Sequence, residues 1–370
     1  MPSNAEPGRQ TPDTDFGRTV TRAGLGERPE TAAASKTVRG TRTGSPPRVN
    51  VRVRRCYPRR MTDDTLNAPL LEATDDSLAR PLPPALTGAR ADVIAAARDL
   101  LAIPEGALTR PWAWIGGSEE EVRYGGYRAA EALELAEIEA RAAASAAEGT
   151  ERHAARIIGP STAARWELYG LLLPVDERLL DADPGGDEWS IRLTLGHVIA
   201  GQRGYAWGTA WWLEQGYNAA DLSRPPFIPE SFWATLPDEA TTEAAGSIDD
   251  LRTRMDDILD LSAERFAGLP DDALAVGGRW SGFPVTIGFR FGRWASHIRE
   301  HSIQIEKTFA LLGHVPTEPA LLVRNVLSAY GRAEAVVFGR QDVDDAVDRV
   351  VQGAEEARQA VHSAREAAGA

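Results

Sequence analysis

The chain is patterned in threes and fours. Val93, Ile94, Ala97, Leu100 and Leu101 recur at helical spacing over residues 90–103, and Pro104 ends the run, which predicts an amphipathic helix with a defined stop. Ser118 through Glu121 reads as a capping-box start for a long Ala/Glu helix closing near Gly149. Trp112 and Trp114 sit between these segments in a Pro/Gly loop and are expected to anchor the core. Trp166, Leu168, Leu171 and Leu172 predict a helix over residues 161–173 that stops at Pro174. After the turn 181–188 and Trp189, Ser190 is a candidate N-cap for a helix reaching residue 214. Beyond a Pro-rich stretch at 223–229, Ser247 and Asp250 form a second capping box. The helix they open carries Ile248, Leu251, Met255, Ile258, Ser262, Phe266 and Leu269 on one stripe, the seam of a bundle helix. Another helix is expected over 286–312, with Gly313 beyond its end and Pro316 blocking continuation. Two more follow, 319–338 and 343–367. No alternating strand pattern of useful length is present. The expected fold class is all-α, an up-down four-helix bundle with extra N- and C-terminal helices.

Charge divides the chain differently. Residues 1–60 hold 13 basic and 5 acidic side chains, a net of +8, so the remainder of the chain, at −13 overall, carries −21. The first segment is rich in Arg, Pro, Gly and Thr with no apolar period, and it reads as a disordered basic tail. Met61, followed by Thr-Asp-Asp, would make a natural start of the reading frame, with residues 1–60 then an upstream extension of it. The expected organisation is therefore a tail at 1–60, a helical N-terminal extension at 61–150, the bundle at 151–316 and C-terminal helices at 317–370. The strongly acidic folded part would repel phosphates, so no nucleic-acid partner is expected. No apolar run approaches the ~18–20 residues of a membrane span. With Cys56 as the single cysteine and no charged-then-apolar leader, a cytoplasmic location is expected.

The candidate chemistry lies in six histidines. His297 and His301 are four apart on one helix, where side chains share a face with Cβ atoms ~5–6 Å apart. His301 falls within the bulky stripe Trp294, Ile298, Ile305, Leu312, and His297 at its edge, so both rings are expected to point into the bundle. His197 shares its helix face with Ser190, Leu193, Gly201, Gly204 and Gly208. Three glycines there each lower helix propensity by roughly 1 kcal/mol relative to Ala. They imply either a close helix crossing or room for a bound molecule. Glu300, about 60° from His297 around the helix, is a candidate proton shuttle at the rim. Gln304, one turn beyond His301, is a candidate partner for that ring or for substrate. His297-Ile-Arg-Glu-His301 also matches the HxxEH of inverted zinc peptidases, but those enzymes need an α/β scaffold that this chain lacks. His153, His314 and His362 read as solvated.

Taken together, Trp189-Ser190 followed by His197, then the helix closing in Leu269-Pro-Asp-Asp-Ala-Leu274, then His297, His301, Gln304 and Leu312-Gly313 resemble the DinB superfamily over roughly residues 155–316. The resemblance implies a divalent metal, zinc or nickel before iron or manganese, held by His197, His297 and His301. It also implies chemistry like that of the thiol-dependent members: mycothiol-dependent isomerases, bacillithiol S-transferases and the iron-binding module of ergothioneine synthases. Three neutral imidazoles would leave the ion its full charge and an open position, where water could reach a pKa near 7 or a thiol lose its proton. A metal-dependent thiol transferase or hydrolase acting on a small molecule, with a low-molecular-weight thiol as cosubstrate and substrate in the glycine-lined gap, is the leading expectation. A non-catalytic, stress-associated metal-binding bundle acting through protein contacts is the alternative. A homodimer through helical faces is compatible with either.

Overall fold

Capping and helix-breaking residues set the element boundaries. The computed structural model describes residues 81–114, 119–147, 152–215 and 223–370. The basic tail with Cys56, Met61, the start of the N-terminal extension, Ser118 and Gly149 lie outside the described residues. Helix α1 (Pro84–Ala102) is followed by strand β1 (Pro111–Ala113), strand β2 (Glu119–Glu121) and α2 (Tyr124–Ala146). Next come α3 (His153–Ile158), α4 (Pro160–Leu172), α5 (Glu177–Leu180), α6 (Ile191–Gln215) and α7 (Glu230–Trp233). After a π-helical turn at Glu239–Glu243 the chain forms α8 (Ile248–Phe266) and α9 (Asp271–Leu274). A hairpin of β3 (Gly277–Trp280) and β4 (Phe283–Thr286) precedes α10 (Ile287–Leu311), α11 (Glu318–Val337) and α12 (Asp344–Ala368).

The local signals act as expected at most ends. Ser190 Oγ accepts from the Leu193 amide at 3.3 Å, and Ser247 and Asp250 complete a capping box. Thr286 caps α10 by accepting from Phe289, and Gly313 closes it with φ of +68°.

Two expectations about local structure are corrected. Glu119–Glu121 does not open a helix. It pairs antiparallel with Pro111–Ala113, and α2 starts only at Tyr124. Trp112 explains why: its ring is buried at 2% exposure, stacks on Trp114 and donates to Ser363 Oγ at 3.1 Å, so tertiary anchoring outweighs the capping pattern. The second correction is the hairpin β3–β4, which the apolar pattern does not reveal. Its two-residue turn, Ser281-Gly282, has φ of +43° and +83°, the primed geometry that matches the twist of adjacent strands.

Two groups of helices assemble around one continuous apolar core. In the first, α10 packs on α4 and α6, and α8 contacts both α6 and α4, closing a four-helix bundle. In the second, α2 packs on α11 and α12, and α1 also touches both. The N- and C-terminal helices thus form a single module, not separate appendages. Small side chains permit the close packing of α2 on α12: Ala129, Ala136, Ala140 and Ala144 are buried on one helix and Ala354, Ala357, Ala360 and Ala364 on the other.

Helices α4 and α11 join the two modules, and a buried charge network lies at the junction. Glu334, fully buried on α11, receives a bidentate pair from Arg90 of α1 at 2.8 and 2.9 Å. It also accepts from Arg165 and Thr162 of α4, at 2.8 and 2.6 Å. Asp260 of α8 pairs with both arginines. Among the described residues no helix is long and apolar enough to cross a membrane.

Candidate metal centre

Helix α10 buries Phe291, Trp294, Ile298 and Ile305, and that apolar registration turns His297 inward to 4% exposure. His301, one turn on, is half-buried on the same face. His197 projects from α6 across the bundle and is also half-buried. One ring nitrogen from each of His197, His297 and His301 lies within 4.8 Å of the others, so residues a hundred apart in sequence converge. Nε2 of His297 and Nε2 of His301 are 3.1 Å apart. Ligand bonds of ~2.0–2.1 Å place neighbouring donors of one ion roughly 3 Å apart, and this pair fits that spacing.

The other edges of the rings are held by side chains. His197 Nδ1 lies 3.0 Å from Glu239 Oε1, and His301 Nδ1 lies 2.8 Å from Gln304 Oε1. The oxygens that face them are acceptors, an arrangement that favours the tautomer with the proton on Nδ1 and the Nε2 lone pair available to an ion. Gln202 donates to the Trp294 carbonyl at 3.2 Å and brings its amide to 3.5 Å from His297 Nδ1. Gln304 therefore sits on a ring nitrogen of His301. Glu239 and Gln202 were not evident from sequence: Glu239 is on the irregular connector between α6 and α8, and Gln202 follows His197 by five residues, on another face of its helix.

Burial, reinforced by its two histidine neighbours and Arg293, lowers the His297 pKa to about 2. Burial likewise lowers His301, partly opposed by the Gln304 hydrogen bond. Both rings are neutral at physiological pH, as metal ligands must be.

Glu300, one residue before His301, directs its carboxylate to Arg293. It forms a bidentate pair with Arg293 at 2.7 and 2.8 Å, whose hydrogen bonds hold its pKa below the usual carboxylate range. A carboxylate kept ionised in this way is a poor proton donor. The Arg293 guanidinium lies 4.7 Å over the ring of Trp280, which the unforeseen hairpin supplies, and Trp280 in turn meets Tyr205, beside His297. The remaining histidines lie elsewhere: His153 near Asp271 and His362 near Glu366, both exposed, and His314 against Phe309.

The glycine-lined gap is filled by the protein itself. A Cβ on Gly201 would meet His297 Cε1 at 2.5 Å, and at Gly208 it would meet Arg290, Ile228 and Trp233. The glycines admit these groups to the helix surface and do not line an open pocket. Gly201→Ala is expected to destabilise the protein by about 1–3 kcal/mol through overpacking and to tilt His297 off the centre. Gly204→Ala, whose Cβ would find only Trp233 at 3.7 Å, is expected to stabilise it by about 0.4–1 kcal/mol. Urea titration of the two variants tests the contrast, and equal effects would show that the glycine face is not packed in this way.

The fold and these residues define a class: a four-helix bundle with a three-histidine site of metal-binding character between its second and fourth long helices. The DinB superfamily model matches residues 162–305, and this bundle is a DinB-superfamily domain. The match spans α4 to α10 and leaves the second module outside it. No curated protein and no solved structure matches the chain.

Proposed function

We propose that the protein is a divalent-metal-dependent enzyme that joins a low-molecular-weight thiol to a small electrophile, or hydrolyses a small substrate, in the cytoplasm. The observation that carries this reading is the Nδ1 anchoring of His197 and His301 by Glu239 and Gln304, which presents Nε2 lone pairs from two helices toward one point. Zinc or nickel fits an all-imidazole donor set best, with iron or manganese as further candidates. When bound, the ion would supply a Lewis-acid centre that favours the deprotonated form of a thiol or water. The chain's own residues would do the rest. Burial of His297 keeps water away from one side of the site, and Tyr205 and Trp280 wall it. Arg293 and Glu300 form a charge-balanced pair beside the site, with the guanidinium seated over Trp280. In the transfer reaction the thiol sulfur bonds to the electrophilic carbon as the leaving group departs, and the thiol proton goes to solvent.

The closed glycine face favours the alternative, a metal-binding bundle without catalysis that works through protein contacts. The two readings separate in one assay: conjugation of 1-chloro-2,4-dinitrobenzene by a panel of bacterial thiols, with metal-loaded protein, with chelator, and with His301→Ala. Metal-dependent conjugation lost in both controls supports the enzyme. A fully loaded protein inactive with every thiol, and toward ester and amide substrates, favours the alternative.

A further inference from the structure

His297 differs from the other two histidines in what faces its second ring nitrogen. Its ring lies directly on α6, because Gly201 has no side chain: a Cβ there would meet His297 Cε1 at 2.5 Å and both ring nitrogens at 3.2 Å. That placement brings the next residue, Gln202, against Nδ1. Gln202 is 1% exposed, donates from Nε2 to the Trp294 carbonyl at 3.2 Å, and holds the same Nε2 3.5 Å from His297 Nδ1. Its Oε1 is buried and, among the described residues, meets no donor. A buried carboxamide oxygen without a donor is unfavourable and calls for a partner.

The chemistry of the centre names that partner. A ring that ligates through Nε2 carries its proton on Nδ1, and that N–H, shielded from water, needs an acceptor. At His197 and His301 the facing atom is already an oxygen, Glu239 Oε1 and Gln304 Oε1. At His297 the matching oxygen is one carboxamide rotation away. We infer that Gln202 is the positioning residue of His297: with a metal ion bound, its carboxamide turns so that Oε1 accepts from Nδ1–H. The turn gives up the bond to the Trp294 carbonyl, which lies inside α10 and keeps the amide four residues on as its helical partner. In exchange it satisfies Oε1 and Nδ1–H together, draws the side chain onto the ring, and gives all three ligands the same outer contact. The inference rests on the metal centre alone and holds whether or not that centre is catalytic.

Calorimetric titration of zinc into the native chain, Gln202→Leu and Gln202→Glu tests the role. Gln202→Leu leaves no acceptor and should weaken zinc binding by about 10–100-fold, the usual effect of removing a group that orients a ligating histidine. Gln202→Glu offers only oxygens and should recover most of that loss. If Gln202 served only to bond the Trp294 carbonyl, Gln202→Glu would lose as much as Gln202→Leu, because an ionised carboxylate cannot donate. Nitrogen-15 spectra of the native, zinc-loaded protein read the site without any substitution. The three ligating rings should each carry their proton on Nδ1. Native affinity in Gln202→Leu, a Gln202→Glu variant no better than Gln202→Leu, or a ligating ring protonated on Nε2 would overturn the role of Gln202 and leave the centre standing. A native chain that binds no zinc would remove the centre itself, and this inference with it.

Discussion

Glu334→Gln is expected to reduce unfolding free energy by about 3–5 kcal/mol, the range for removing one member of a buried ion cluster. The carboxylate is fully buried and faces two arginines, and Arg165 itself has no exposed side-chain surface. A neutral amide would leave these guanidinium groups short of countercharge in a site that water does not reach. Asp260, with its side chain 22% exposed, would remain as partial compensation. The loss should fall on both modules, because Arg90 comes from one and Arg165 from the other. The pH dependence supplies a second signature. Burial by itself would raise the Glu334 pKa, but Arg90 and Arg165 overrule it and hold the carboxyl far below its ordinary value of 4.5. A depressed carboxylate contributes stability that is present above the unfolded-state pKa and lost as pH falls through the folded-state value. The gap between native protein and variant should therefore be widest at neutral pH and narrow steadily below about pH 4.5. Urea denaturation at several pH values, with an unchanged m-value, is the measurement. A neutral-pH difference below about 1 kcal/mol, the level of an exposed pair, would show that the junction is solvated.

His297→Ala should abolish stoichiometric binding of zinc at micromolar concentration. Its ring lies 3.1 Å from that of His301 and is the most buried of the three, so its loss opens the centre on the inner side. Glu239→Ala leaves all three ligands in place and should weaken affinity by a smaller factor, about 10–100-fold, as for other groups that orient a ligating histidine. Calorimetric titration separates the two variants. Thermal denaturation gives an independent reading: excess zinc at 100 times its dissociation constant stabilises a native state by about 2.7 kcal/mol, and the His297→Ala variant should gain nothing. Without metal, the depressed His297 pKa of about 2 has a cost in acid. The unfolded chain takes up a proton near pH 6.5 that the folded ring refuses, so this ring's contribution to stability declines as pH falls below about 6.5. Removing the ring should flatten that part of the acid limb. Unaltered zinc affinity in His297→Ala would sink the assignment of the centre.

The long helices could be read from local order because amphipathic spacing and caps act over a few residues. Ser190 and Ser247 each accept the backbone hydrogen bond their position suggests. The two histidines of α10 were legible for the same reason: four residues on a helix specify a shared face. His197 was identified through the family resemblance, and its convergence on the pair is a tertiary fact. Where the sequence misled, a distant partner competed with a local signal. Glu119–Glu121 has the composition of a first helical turn, yet it pairs as a strand beside the anchored Trp112. The glycines of α6 read equally well as packing or as space, and only the arrival of His297, Trp233, Ile228 and Arg290 decides for packing.

Spacing within single segments determined the all-α class, the principal helices and the inward turn of His297 and His301. Family likeness added His197. Folding alone decided which helices became neighbours, and so brought Glu239 to His197, withdrew Glu300 to Arg293 and merged the terminal helices into one module around Glu334. The division has a physical basis: periodicity and capping are written in residues a turn or two apart, whereas hydrogen bonds across 42, 169 or 244 positions exist only once the chain has packed.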